Sequence, residues 1–305
     1  MPILSICIPI YNRANYLKRS LDVFLNEKQL FEEEVQLYIS DNCSKDDLKS
    51  VCDDYAKKGL RLTYHRNEEN IGMDGNFANC FINALGKYTY LLGSDDTPKP
   101  GFVNNIISIL RKNEFGILHL SSSKDNKDIL IKYTDCNLFL LDVNVWITFL
   151  SANIVMTKYV QSINFEKYKG TELTQVPVFL EATCNSTENA IYKASFFQGE
   201  NDSENNGGYN FFYVFVECLL MIVKEQVVLK KITVNTYEKF KKILYRDFII
   251  GFIYRLLIVR QNSNFDHTSA WAILRKYYSG YCYCYYYLAK ILIAQQMFYL
   301  KNKLR

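Results

Sequence analysis

Tyr88-Thr89-Tyr90-Leu91-Leu92-Gly93-Ser94-Asp95-Asp96 is an apolar, aromatic-rich run that stops on two adjacent carboxylates. Tyr, Thr and Leu, bounded by Gly-Ser and then by Thr97-Pro98-Lys99-Pro100-Gly101, predict a buried strand that opens into a loop and cannot turn at once into a helix. The carboxylates then belong to the carboxyl edge of that strand. In open α/β sheets ligands bind outside this edge, where two carboxylates can hold a hard divalent cation against a phosphate. A solvated acidic turn is the competing reading of any isolated Asp-Asp, so the flanking sequence has to decide between them.

Upstream, Leu4 to Ile10 is a nearly continuous β-branched run, as expected of a parallel strand buried on both faces. It ends at Tyr11-Asn12-Arg13, and apolar residues at Leu17, Leu21, Phe24 and Leu25 predict a helix over 16–26. Val35 to Ile39 repeats the pattern and ends on Ser40-Asp41-Asn42-Cys43-Ser44, with Ser44 or Asp46 placed to cap a helix over 47–57. Leu60 to Tyr64 is a third short strand, and the loop from Arg66 to Gly72 leads to a helix over 76–85. Alternating strands and helices imply right-handed crossovers and a parallel sheet, with polar loops gathered on one edge. The chain has neither a G-x-G-x-x-G nor a G-x-x-x-x-G-K-[ST] motif, which argues against a dinucleotide-binding Rossmann domain and a P-loop enzyme.

Downstream, an amphipathic helix is expected over 101–111 and a strand over 115–120, in which His119 alternates with apolar residues as a packed sheet histidine. Residues 121–137 give no pattern. A helix is expected over 138–150, a short apolar run at 154–156, and a further helix over 173–182 that Glu172 opens. An acid at that position is favoured by the helix dipole whatever its role.

With 305 residues, 49% hydrophobic and 22% charged, the chain can bury more than one small core, and a large domain over 1–228 with an appendage over 229–305 is expected. Residues 229–305 hold 14 Lys and Arg against 3 Asp and Glu, whereas 1–228 hold 22 against 29. These basic residues are interleaved with Ile, Leu, Phe and Tyr, which suits an anionic membrane surface better than nucleic acid. The nine cysteines are odd in number and lack zinc-ligand spacing, the reading expected of reduced thiols in the cytoplasm. The first residues carry no basic n-region, so no signal peptide is expected, and no run reaches the roughly 18 apolar residues of a spanning helix.

Four segments in order, Ile6-Cys-Ile-Pro-Ile-Tyr-Asn-Arg13, Ile39-Ser-Asp-Asn-Cys-Ser-Lys-Asp46, Asn70-Ile-Gly-x-x-x-Asn76 and Leu91-Leu-Gly-Ser-Asp-Asp96, resemble family 2 glycosyltransferases of the GT-A fold. Within that family they resemble the branch that adds sugars to bacterial O-antigen or other surface glycans, including abequosyltransferase-like members. The resemblance implies an α/β fold with a mostly parallel sheet flanked by helices and a helical C-terminal appendage. It implies a nucleotide-sugar donor (UDP-, CDP- or dTDP-), a glycan or lipid-linked oligosaccharide acceptor, inversion at the anomeric carbon, and a divalent cation, Mg2+ or Mn2+. Pro9, Tyr11, Arg13, Asp41, Asn70, Gly72, Asn76 and Ser94 match its nucleotide side. Asp95 and Asp96 match its metal motif, with Gly93 where a first Asp is usual, and Glu172 is the match for the catalytic base. Two other readings stay open: an inactive scaffold of the same fold, and a sugar-1-phosphate nucleotidyltransferase. A glycoside hydrolase also uses paired carboxylates but has no need of nucleotide loops at strand ends.

Overall fold

The computed structural model describes residues 1–123, 128–198 and 207–303, so most of the Asn- and Gly-rich stretch 201–210 lies outside the described residues. The chain forms two compact units, one of residues 1–139 and 146–201, the other of 140–145 and 202–305.

The first unit is built on eight strands: β1 (Leu4–Ile10), β2 (Val35–Asp41), β3 (Thr63–Arg66), β4 (Tyr88–Leu91), β5 (Ile117–Ser122), β6 (Ile129–Tyr133), β7 (Asn153–Met156) and β8 (Asn189–Ala194). They form one sheet in the order β3-β2-β1-β4-β7-β5-β8-β6. The first four are parallel, β7 runs antiparallel to both β4 and β5, β8 is parallel to β5, and β6 closes the far edge antiparallel. The expected strand before Asp95 is β4, all four residues buried. Tyrosine is tolerated there because its hydroxyls are satisfied: Tyr90 donates to the Ser151 carbonyl at 2.9 Å, and Tyr88 accepts from the Phe115 amide at 3.1 Å. Strand β1 is buried throughout, as its β-branched run requires.

Helices α1 (Ala14–Leu25), α2 (Leu30–Glu33), α3 (Leu48–Lys57), α4 (Gly72–Ile82), α5 (Phe102–Lys112), α6 (Cys136–Val143) and α7 (Gln175–Asn185) complete this part of the chain. Asp47, rather than Ser44 or Asp46, caps α3 by accepting from the Ser50 amide at 3.2 Å. Helix α4 starts four residues earlier than its apolar pattern suggests, because the Asn70 side chain accepts the Gly72 amide at 2.9 Å and turns the chain into the helix. The helix expected over 138–150 is shorter, passing after Val143 into 3-10 turns over 144–148 and 150–152. Strand β6 fell in a stretch without pattern because it is a largely exposed edge. Strand β8 carries Asn189, Lys193 and two alanines, weak strand formers held by neighbours on both sides.

The second unit is helical. A π-helical turn, Tyr213–Cys218, leads into α8 (Leu219–Val228); α9 (Val234–Leu244) continues through π-helical turns at Tyr245–Ile249 and Ile253–Ile258 on either side of α10 (Ile250–Phe252); α11 (Ala270–Tyr278) and α12 (Cys282–Lys303) follow. The boundary expected at 228/229 falls inside this unit, since charge changes there but packing does not: α8 buries Leu219, Leu220, Ile222 and Val223 and lies against α9. Part of the aromatic content expected at a membrane face is core: Tyr237, Phe240, Tyr245 and Tyr278 are buried, whereas Trp271, Tyr285 and Tyr286 are exposed. Phe211 stacks on Phe252 with centroids 3.7 Å apart, Phe240, Leu244 and Ile249 are fully buried, and Lys241 is buried with its ammonium 4.1 Å from the Tyr281 ring. Among the described residues no helix is long and apolar enough to cross a membrane.

Candidate active site

The loops after β1 and β2 are laced together. Asn12, held at a positive φ of 54°, donates its amide to the Ser44 hydroxyl at 2.9 Å and accepts the Lys45 amide at 2.7 Å, while the Ala14 amide reaches the Asp46 carboxylate at 2.7 Å. Asn is among the few residues that take this backbone conformation at small cost. Pro9 is buried in β1 opposite Ser40, whereas Tyr11, the first residue after β1, is exposed.

Asp41 ends β2 and is fully buried. Its carboxylate accepts from the Tyr64 hydroxyl at 2.6 Å, the Ser44 amide at 2.8 Å and the Arg66 guanidinium at 3.3 Å. Arg66 also donates to the Ser44 carbonyl at 2.7 Å, and its side chain is 46% exposed. The exposed polar surface at this strand end is therefore the Arg66 guanidinium rather than the Asp41 carboxylate. Tyr64 and Arg66 are not marked by the sequence as site residues, and Ser44 only as a helix cap; the signal available is that Tyr64 and Arg66 lie in a strand adjacent to β2.

The Asn-x-Gly-x-x-x-Asn segment lies beneath this surface. Buried Asn76 donates to the Ser40 carbonyl at 3.0 Å and accepts from the Ser40 hydroxyl at 2.7 Å, and Asn67 bridges Asn42 and Asn76. Asn42 donates to the Asn70 side chain at 2.8 Å and to the Gly72 carbonyl at 3.1 Å. Matched to the nucleotide side by resemblance, Asn70, Gly72 and Asn76 here tie α4 to the end of β2, and Asn76 is only 3% exposed. A buried amide network of this kind fixes one loop conformation, because each unsatisfied member would be costly.

At the end of β4 the chain folds back on itself. The Asp96 amide donates to the Gly93 carbonyl at 3.0 Å, and the Gly93 amide donates to the Ser151 hydroxyl at 2.7 Å. A β-carbon at position 93 would sit 3.0 Å from an Asp96 carboxylate oxygen, 3.1 Å from the Ser151 hydroxyl and 3.3 Å from an Asp95 carboxylate oxygen. Both carboxylates and the Ser151 hydroxyl thus converge on the space a side chain at position 93 would fill, the position the resemblance matches to a first Asp. Burial lifts the Asp96 carboxyl above its ordinary value; a hydrogen bond from Ser151 opposes this and the neighbouring Asp95 adds to it. Asp95 pairs with Arg13 at 3.1 Å, and Arg13 also donates to the Ser94 hydroxyl at 3.3 Å. Two convergent carboxylate oxygens fit a hard divalent cation but are too few to enclose one, and among the described residues no group of three or more His, Cys, Asp or Glu could do so. His119, paired with Asn153 at 2.9 Å and pushed down to about 4 by burial, is the neutral sheet histidine expected.

Glu172 does not open a helix. It sits in the left-handed region at φ 58°, ahead of Thr174 at the N-cap of α7. The turn is held from α4: buried Asp74 accepts the Gly170, Glu172 and Thr174 amides at 2.8, 3.2 and 3.3 Å. The Glu172 carboxyl is raised above its ordinary range, first by burial and then by the Asp74 charge, as a proton acceptor working nearer neutral pH requires. If this carboxyl has the proton-acceptor role that the family resemblance implies, a Glu172→Gln variant is expected to lose roughly 10²-fold in turnover with donor affinity little changed. In the wild type the acid limb of the pH–rate profile is expected above that of an ordinary glutamate; near-normal turnover in the variant would leave Glu172 as a turn residue.

The model of the family described as Glycosyl transferase family 2 matches residues 5–198. The chain is 36% identical over 95 residues, 31% of its length, to abequosyltransferase RfbV of Salmonella typhimurium. It is 28% identical over 121 residues, 39% of its length, to the GalNAc(5)-diNAcBac-PP-undecaprenol beta-1,3-glucosyltransferase of Campylobacter jejuni. These matches span 28% and 37% of the two relatives' own lengths. Staphylococcus aureus TarS, residues 1–349 in complex with UDP-GlcNAc, superposes with a TM-score of 0.58 at 15% identity, covering 83% of this chain and 73% of that one. Mannosyltransferase PcManGT of Pyrobaculum calidifontis, in complex with GDP-Man and Mn2+, superposes with a TM-score of 0.53 at 12% identity, covering 96% and 86%. These two likenesses bear on the fold, which is that of GT-A glycosyltransferases. With the family match running from the second residue of β1 to beyond β8, the chain belongs to glycosyl transferase family 2.

Proposed function

We propose that the protein transfers a sugar from a nucleoside-diphosphate donor to a hydroxyl of a glycan or lipid-linked oligosaccharide in bacterial surface-polysaccharide synthesis. The observation that carries this reading is the convergence of Arg13, Ser94, Asp95 and Asp96 at the carboxyl ends of the adjacent parallel strands β1 and β4, with Arg66 exposed two strands away. Of the relatives named above, one is an abequosyltransferase and the other a glucosyltransferase for GalNAc(5)-diNAcBac-PP-undecaprenol, and the solved neighbours hold UDP-GlcNAc and GDP-Man. A Mg2+ or Mn2+ ion held by Asp95, with Asp96 in support, would neutralise the departing diphosphate. The chain's own part is to orient the diphosphate through Arg13 and Ser94, to seat the nucleoside against Arg66 and Tyr11, and to accept the acceptor's proton at Glu172. The new C–O bond forms as the bond from the anomeric carbon to the diphosphate oxygen breaks in line, so the anomeric centre inverts.

Donor type is tested by thermal stabilisation with a panel of nucleotide sugars in the presence of Mn2+ or Mg2+, since a ligand of the folded state raises its apparent stability. Stabilisation by none of them, with or without metal, would favour the scaffold reading.

We also place the acceptor at an anionic membrane face in the cytoplasm. Exposed Tyr285, Tyr286, Lys290 and Ile293 on α12 offer the mixture of aromatic, apolar and basic groups that suits a headgroup layer, and each Lys or Arg near such a surface contributes about 1 kcal/mol. The full-length chain is expected to co-sediment with vesicles containing anionic lipid, not with neutral ones, and to be released by high salt. Equal, negligible sedimentation with both would leave these helices as packing alone.

A further inference from the structure

Asp95 already has a cation. The Arg13 guanidinium lies 3.1 Å from one carboxylate oxygen of Asp95 and donates to the Ser94 hydroxyl, and its carbon stands 5.9 Å from the Tyr16 ring centroid. Arg13 is the N-cap residue of α1, yet its side chain makes no capping bond to that helix. Its side chain reaches Asp95 and Ser94 instead, and the ion pair is about one third exposed, with 30% for Arg13 and 36% for Asp95.

The geometry points to Arg13 as the residue that makes divalent-cation binding conditional on the donor's diphosphate. This rests on the donor reading above. Before the donor arrives, a metal ion meets two carboxylates, one of them already neutralised, and must approach a guanidinium of like charge. With Gly93 supplying no third carboxylate, the protein alone holds the ion poorly. A diphosphate changes both conditions. It offers the guanidinium an anionic partner of matching fork geometry, which frees the Asp95 oxygen, and it supplies further oxygen ligands for the metal. Arg13 is thus a positioning residue whose alternative partners, carboxylate and diphosphate, couple two binding events; the same exchange keeps the paired acids compensated while the site is empty.

The test is Mn2+ binding measured by electron paramagnetic resonance, with and without UDP or CDP, for the wild type, Arg13→Met and Arg13→Lys. Without nucleotide, Arg13→Met is expected to bind Mn2+ about tenfold more tightly than the wild type, because a repelling charge and a competing ion pair are both removed. With nucleotide the advantage disappears, so the factor by which nucleotide tightens Mn2+ binding shrinks about tenfold. Arg13→Lys keeps the charge and is expected to stay within about threefold of the wild type without nucleotide. Nucleotide-free Mn2+ affinity that is unchanged in Arg13→Met, or as much improved in Arg13→Lys as in Arg13→Met, would overturn the inference. Should Arg13→Met not fold, Ser94→Ala removes the hydroxyl that helps seat the guanidinium and is expected to move nucleotide-free affinity in the same direction by a smaller factor; no change there would count against it. A wild type that bound no nucleoside diphosphate would sink the donor reading, while the nucleotide-free comparison would still judge the role of Arg13.

Discussion

An Asp95→Asn variant is expected to lose about 10³-fold in sugar-transfer turnover, roughly 4 kcal/mol of transition-state stabilisation, while unfolding within a degree or two of the wild type. The two halves of this expectation have different causes. Asp95 is only partly buried and its ion pair with Arg13 is open to solvent, so its contribution to folding is small. Its expected contribution to chemistry is large because so few carboxylates lie at this strand end: Gly93 has none to offer, and Asp96 also takes a hydrogen bond from Ser151. The same removal at a site with three carboxylates would be partly compensated. Asn keeps one oxygen and loses the charge, which separates electrostatics from shape. The readout is release of nucleoside diphosphate in the presence of acceptor, alongside a thermal melt. Turnover within tenfold of the wild type would mean that Arg13 and the backbone carry the diphosphate without this carboxylate.

Much of this site could be read from the chain because its geometry is local. An apolar run of four to seven residues that ends on charge specifies a buried strand and the direction its polar end faces, and β1, β2 and β4 were all legible in this way. Asp95, Asp96 and Arg13 sit within a few residues of such ends, so spacing alone carried them to the same edge. What was not legible depends on contacts between segments far apart in sequence. That Ser151 would seat Gly93, or that Asp74 would gather the amides of residues 170–174 and hold Glu172 out of α7, is set by how α4, β7 and the loop before α7 pack, and no periodicity encodes it. The aromatic residues of the C-terminal region cannot be sorted from sequence for a related reason: an interleaved basic and aromatic sequence has one composition whether its rings are exposed, like Tyr285 and Tyr286, or buried, like Phe240 and Tyr278. Asp41 is the sharpest case. Its position at the end of β2 marks it as important, but only the structure shows that its carboxylate faces inward.

That inward position makes Asp41→Asn a decisive variant. All three partners of the carboxylate are donors: the Tyr64 hydroxyl, the Ser44 amide and the Arg66 guanidinium. An asparagine in this place has one accepting oxygen and one donating nitrogen, so in either orientation its NH2 group faces a donor and a buried polar contact becomes a mismatch. The expected cost is about 2–4 kcal/mol of stability in the first unit, the range for a buried hydrogen-bonded charge deprived of its role. Arg66, no longer anchored, should in addition bind nucleotide at least tenfold more weakly. The double variant with Tyr64→Phe should lose less than the sum of the two single variants, because the phenol, which can accept as well as donate, shares one network with residue 41. Nucleotide affinity should stay low in it, since Arg66 still lacks its carboxylate. If Asp41→Asn instead melted with the wild type and lost only nucleotide affinity, the carboxylate would contact the ligand directly. If stability fell with affinity unchanged, Arg66 would have no part in holding the nucleotide, and the exposed guanidinium at the end of β3 would be scaffold.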